Sequence, residues 1–186
     1  MLDEPLTVVR SLGALLDQLD VAWAAAGSFA SGLHGTPRMT SDVDVLLRAS
    51  PADVARLAAM TGDEFFVDAE SLVGAWKRGE SYNLIHATTM MKVDVFPALD
   101  RFSRGEITRA ISVAGVRVIS AEDTLLSKLV WFRKGGERSE RQWRDVLGIA
   151  SVQRGRLDLA YVDAWATELG VEDLLARVRG DSSGGL

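Results

Sequence analysis

From Leu6 to Leu19 the apolar side chains fall at Val9, Leu12, Leu16 and Leu19, a spacing that predicts an amphipathic helix. Val21 to Ala26 is an uncharged run stopped by Gly27, which predicts a short buried strand. Gly27-Ser28 opens a segment ending near Gly35, long enough for one or two helical turns. Asp42 to Leu47 alternates polar and apolar positions and predicts a second strand. Ser50 followed by Pro51 is a helix-start signal, and a helix is expected over 51–60. Phe65 to Asp68 suggests a short strand. Tyr82–Ala87 and Met91–Phe96 predict two strands joined by a tight turn at Thr88 to Met90. A second hairpin is expected from Arg109–Val113 to Val116–Ile119 through Ala114-Gly115. Beyond Ser120 the pattern turns helical, with segments near Ala121–Arg133, Ser139–Val152, Leu157–Glu168 and Val171–Val178.

Strands and helices therefore mix up to about residue 120, and helices alone follow. That order predicts an α/β (α+β) fold, with residues 1–120 as the core and 121–180 as a C-terminal helical lobe packed on it. Residues 181–186, Asp-Ser-Ser-Gly-Gly-Leu, are expected to form a disordered tail.

Composition narrows the chemistry. The chain has 186 residues, 47% hydrophobic and 25% charged, enough for a real core. The absence of cysteine excludes disulfides, thiolate metal sites and cysteine nucleophiles. With only His34 and His86 there is little material for a histidine zinc site, so any metal chemistry must rest on carboxylates and favours Mg²⁺ or Mn²⁺. No apolar run is long enough to span a membrane, and the acidic N-terminus is unlike a secretory signal, so a cytoplasmic location is expected. The net charge of −5 argues against general attraction to nucleic acid. Lys128, Arg133, Lys134, Arg138, Arg141 and Arg144 nevertheless cluster against only Glu137 and Glu140. That run reads either as a solvated helix face or as a surface for polyphosphate or RNA.

The chemistry concentrates in Ser41-Asp42-Val43-Asp44-Val45-Leu46-Leu47. On a strand, Asp42 and Asp44 share one face while Val43 and Val45 enter the core. Aspartate forms strands poorly, and two on one face repel each other, so a cation bound between them is the simplest offset. Asp94 repeats the pattern in Met91-Lys92-Val93-Asp94-Val95-Phe96, opposite the apolar Met91, Val93 and Val95. Were the two strands neighbours, three carboxylates would meet on one patch. Such a set suits two divalent ions about 3.5–4 Å apart that clamp the oxygens of a phosphoryl transfer. Upstream, Gly27-Ser28 lies between a buried strand and a short helix, where backbone N–H groups and a hydroxyl are available to a phosphate.

Gly27-Ser28, Gly35, Arg38, Thr40, Asp42-Val43-Asp44 and Lys92-Val93-Asp94-Val95 together resemble the DNA polymerase beta-like nucleotidyltransferase superfamily. Within it, Gly-Ser-Phe-Ala-Ser and Arg-Met-Thr-Ser-Asp-Val-Asp-Val look most like AbiEii-type abortive-infection toxins and related bacterial nucleotidyltransferases. The resemblance covers roughly residues 21–150. It implies the nucleotidyltransferase fold, a mixed sheet flanked by helices, with Ser28 holding a nucleoside triphosphate. It implies that Asp42 and Asp44 ligate two Mg²⁺ ions, and that Asp94 ligates one and serves as general base. Lys128 and Asp145 match a lysine and an aspartate on successive helices of the AbiEii-type pattern, although Arg141-Gln142 replaces an acidic pair there. Arg38 and Thr40 either position the triphosphate or shape the loop. His86 is expected in the core, His34 to be structural or exposed, and the tryptophans to be mostly core, with Trp131 an alternative base-stacking residue.

The implied reaction is transfer of a nucleoside monophosphate from an NTP to a hydroxyl. The acceptor is expected to be RNA, tRNA in particular, or a protein, and a cognate antitoxin is a possible partner. A small-molecule, antibiotic-type acceptor is an alternative. Two rivals remain: a catalytically silent binding fold of a toxin–antitoxin pair, and an Asp-x-Asp phosphohydrolase. The second fits less well, since the Gly-Ser element precedes the acids and no aspartyl nucleophile loop follows a first strand.

Overall fold

The computed structural model describes residues 3–181. Its elements run α1 (Asp3–Gln18), β1 (Ala22–Ala26), α2 (Gly27–His34), β2 (Asp42–Arg48), α3 (Pro51–Met60), β3 (Phe65–Phe66), α4 (Ala69–Lys77), β4 (Tyr82–His86) and β5 (Lys92–Pro97). They continue with α5 (Arg101–Thr108), β6 (Ile111–Val113), β7 (Val116–Val118), α6 (Ala121–Lys134), α7 (Glu140–Val152), α8 (Leu159–Glu168) and α9 (Glu172–Asp181). Contacts divide the chain into two compact units. One holds the residues up to Phe29 with Met39–Ile119, the other Ala30–Arg38 with the residues from Ser120 onward.

In the first unit, seven strands among the described residues form one mixed sheet in the order β3-β4-β5-β2-β1-β7-β6. β2 sits at its middle, antiparallel to β1 and parallel to β5. The pleat separates two faces. Register places Trp23 beside Leu47, Ala25 beside Val45, and Val43 and Val45 beside Val93 and Val95. All of these side chains are buried, and each fully buried Val or Leu contributes about 1.5–3 kcal/mol. Trp23 lies against α1, where a β-carbon at Gly13 would come within 2.4 Å of its ring. The other face of β2 and β5 therefore points away from α1, and it carries Asp42, Asp44, Lys92 and Asp94.

α3 begins where Ser50-Pro51 predicts. The Ser50 hydroxyl accepts from the Asp53 backbone N–H, and the Asp53 carboxylate accepts from the Ser50 N–H, a reciprocal cap. Two helices are absent from the sequence reading. α4 follows Asp68, which belongs not to a strand but to a cap, accepting from Ser71 N at 2.7 Å. α5 follows Asp100, which accepts from Ser103 N at 2.8 Å. Because α5 runs to Thr108, Arg109 and Ala110 lie outside the hairpin, whose first strand starts only at Ile111. Asp181 likewise ends α9 rather than beginning a tail, and 182–186 lie outside the described residues.

The second unit is helical. α6 packs against α7 and α8, and α9 against α7 and α8. The end of α2 lies on α7: a β-carbon at Gly35 would stand 2.8 Å from the Ile149 backbone N, so only glycine admits this approach. The Gln153 amide donates to the His34 carbonyl at 2.7 Å and closes the same contact. At the start of α6, the fully buried Asp123 accepts from the Ser120 and Tyr161 hydroxyls, at 2.9 and 2.6 Å. Among the described residues no helix is long and apolar enough to cross a membrane.

Candidate active site

The site is built where β1 ends and β2 and β5 begin. β1 brings the chain to Gly27, the first residue of α2, with φ +59°. Ala26 is in register with Asp44, so the turn into α2 lies directly on the Asp44 side chain. A β-carbon at Gly27 would stand 1.7 Å from Asp44 Oδ2. The position thus requires glycine twice, for its left-handed backbone and for the space the carboxylate occupies.

On β2, Asp42 and Asp44 are half-buried and alternate with the buried Val43 and Val45. On β5, Asp94 is half-buried between the buried Val93 and Val95. Parallel pairing puts Asp44 directly beside Asp94 and Asp42 beside Lys92. Neighbouring strands lie about 4.8 Å apart, so like charges at paired positions repel. Three carboxylates therefore share one face of two adjacent strands, next to the glycine turn.

Each flanking acid has a partner. Thr40 Oγ1 donates to Asp42 Oδ1 at 2.9 Å, and Lys92 Nζ lies 2.9 Å from Asp94 Oδ2. The side chains are turned toward these partners, and among the described residues no three His, Cys, Asp or Glu side chains are closed into a chelating group. In donor chemistry the set fits a hard divalent cation: only carboxylates, on one half-buried face, with an ammonium already drawn to it. The Lys92 pKa is raised, chiefly by the bond to Asp94. Partial burial opposes the rise, and the fields of Asp94, Asp42 and Asp44 reinforce it.

The remaining expected site residues gather in the second unit. Asp145 on α7 receives Arg38 in a two-pronged bond, Nε to Oδ1 at 2.9 Å and Nη2 to Oδ2 at 3.0 Å. Lys128 Nζ also reaches Asp145 Oδ2, at 2.9 Å. Lys128 is buried, so it is not a surface lysine trailing along the helix. Burial pushes the Asp145 carboxyl up, but the bonds and charges of Arg38 and Lys128 outweigh it and hold the pKa below the usual carboxylate range. A carboxyl depressed in the folded state stabilises it above the unfolded pKa, and the contribution is lost as pH falls through the lower, folded value. Asp145→Asn should therefore lower stability near neutral pH by about 2–4 kcal/mol, since two cations lose their anion. Thermal melts should show the gap from wild type closing as pH falls below the usual carboxylate range.

Ser28 is half-buried in the first turn of α2. Of the histidines, His86 is buried, shares a hydrogen bond with Thr89 Oγ1 at 2.9 Å and meets the Phe65 ring edge-on. His34 is buried as well. Trp23 and Trp76 belong to the core, whereas Trp131 is 51% exposed beneath the Lys134 ammonium. The basic run is divided: Arg133 pairs with Glu137 and Asp173, while Arg138, Arg141 and Arg144 stand exposed. Sequence reasoning missed Lys92 as a member of the acidic face. Its place two residues before Asp94 was the available signal.

The fold is that of nucleotidyltransferases. The chain is similar to the antibiotic-resistance factor ANT(2'')-Ia in its solution structure, with a TM-score of 0.58 and 13% identity over 95% of this chain and 99% of that one. ANT(2'')-Ia in complex with adenylyl-2''-tobramycin gives 0.55 at 13% identity, over 91% and 98% of the two chains. An antigenic nucleotidyltransferase-like protein from Paracoccidioides brasiliensis gives 0.52 at 19% identity, over 92% and 90%. No protein-family model and no curated protein matches the chain.

Proposed function

We propose that this protein transfers a nucleoside monophosphate from an NTP to an acceptor hydroxyl, with Mg²⁺ as cofactor. The observation that carries the reading is the register of Asp44 with Asp94, with Asp42 on the same face and Gly27 against Asp44, inside a nucleotidyltransferase fold. Asp42 and Asp44 would hold two divalent ions and Asp94 one of them. The bound ions would supply charge neutralisation at the triphosphate and at the attacking oxygen.

Asp94 accepts the proton of the acceptor hydroxyl on a carboxylate oxygen. The acceptor oxygen bonds to the α-phosphorus, the bond to the bridging oxygen breaks, and pyrophosphate leaves. The Ser28 hydroxyl and backbone N–H groups at the start of α2 bind phosphate oxygens. Thr40 holds Asp42 in a fixed rotamer through its 2.9 Å bond. Arg38 and Lys128, both bonded to Asp145 within the second unit, are the residues to which the sequence resemblance assigns phosphate charge.

For the acceptor, the AbiEii-type resemblance favours RNA, tRNA in particular, or a protein, with a cognate antitoxin as partner. A second reading is a small-molecule hydroxyl. It is supported by the likeness to ANT(2'')-Ia, which extends over 99% of that chain. The test is incubation with Mg²⁺ and α-labelled NTPs in the presence of total RNA, lysate protein or tobramycin. Label on one fraction names the acceptor class. If no fraction is labelled, and wild type and Asp42→Asn/Asp44→Asn alike show no Mg²⁺-dependent NTP binding, the enzyme reading falls and a silent binding fold replaces it.

A further inference from the structure

The proposed chemistry gives Lys92 no task, yet Lys92 is part of the acidic face. It precedes Asp94 by two residues on β5, so the pleat puts both side chains on one side of the sheet. Its backbone pairs with Asp42 and that of Asp94 pairs with Asp44, which makes a four-residue square of three carboxylates and one ammonium. The Lys92 side chain is 48% exposed. It could extend into water, as lysines generally do. Instead its Nζ lies 2.9 Å from Asp94 Oδ2. The pull of all three aspartates on the ammonium agrees with that placement.

We propose that Lys92 is a built-in counter-ion of the acidic centre, whose ammonium competes with the divalent cation for the Asp94 carboxylate. This rests on the reading of Asp42, Asp44 and Asp94 given above. Without a metal, the ammonium offsets the repulsion between Asp44 and Asp94. A cation that takes Asp94 as ligand must first displace the ammonium from Oδ2. Lys92 thereby weakens metal binding and keeps Asp94 from engaging an acceptor until the cation has arrived. The lysine side chain is long and flexible enough to swing into solvent without any backbone movement.

The experiment titrates Mn²⁺ alone into the full chain and follows free Mn²⁺ by electron paramagnetic resonance, so no turnover is needed. Lys92→Met keeps the stem and removes the charge. It should tighten Mn²⁺ binding by roughly threefold to tenfold, the scale of a partly exposed ion pair and its field. It should also lower the melting temperature of the metal-free protein, and Mn²⁺ should restore it. Lys92→Arg should stay close to wild type. In an Asp94→Asn background most of the gain from Lys92→Met should vanish, because the contested oxygen has lost its charge and only the weaker fields of Asp42 and Asp44 remain. Equal or weaker Mn²⁺ binding by Lys92→Met overturns this inference alone, as does a full gain that persists without Asp94. Failure of both wild type and Lys92→Met to bind Mn²⁺ overturns the inference together with the proposed metal centre.

Discussion

Asp44→Asn should cut nucleotidyl transfer by roughly 10³-fold or more, the scale on which a preorganised electrostatic group acts. The substitution is nearly isosteric, so the side chain still fits beneath the Gly27 turn. What it removes is one of two charges in register across β2 and β5. Like charges opposite each other cost about 0.2–1 kcal/mol, and losing that repulsion offsets the attraction to Lys92 that the variant also loses, so the metal-free variant should fold with little change in stability. The two readouts thus move apart: transfer is lost while the melting temperature stays close to that of wild type. A variant that keeps transfer within tenfold of wild type would remove Asp44 from the chemistry. A variant that unfolds would instead make Asp44 a structural residue.

Gly27→Ala should be the most damaging single methyl in the first unit. Its β-carbon would fall 1.7 Å from Asp44 Oδ2, so either the carboxylate or the turn must move. The backbone at φ +59° adds the left-handed penalty of about 1 kcal/mol that any non-glycine residue meets. Overpacking of this kind typically costs a further 1–3 kcal/mol. Gly62→Ala separates the two costs, because Gly62 also has positive φ, +52°, but nothing within 4 Å of a new β-carbon. In urea titrations Gly62→Ala should lose only the backbone share, and Gly27→Ala about 2–4 kcal/mol in total. Activity should fall with Gly27→Ala and survive Gly62→Ala. Equal losses in the two variants would mean that the Gly27–Asp44 contact does not organise the site.

Much of this site was legible before folding because strand periodicity is local. Asp42 and Asp44 alternate with Val43 and Val45, and Asp94 alternates with Val93 and Val95, so each set chooses its face without reference to the rest of the chain. Helix starts were legible where the cap preceded an apolar stripe, as at Ser50. They were missed at Asp68 and Asp100, although aspartate followed three residues later by serine was present at both. α5 buries only Phe102, Glu106 and Ile107, too few positions to show a helical period. Lys128 borders its apolar stripe, a position that favours an inward reach while leaving a surface placement open.

The amino-acid order by itself determined which side chains would share a strand face, where the carboxylates lie and that no softer metal ligand competes with them. Pairing between distant segments was decided only by the tertiary structure. Asp44 meets Asp94 because β2 and β5 are neighbours in parallel register, and Arg38 meets Asp145 across a separation of 107 residues. Register and ion pairing depend on which elements come to lie side by side, a choice made by burying the whole apolar face of the sheet and the helical stripes at once. No local pattern encodes that choice, and so the acids were visible in the sequence while the company they keep was not.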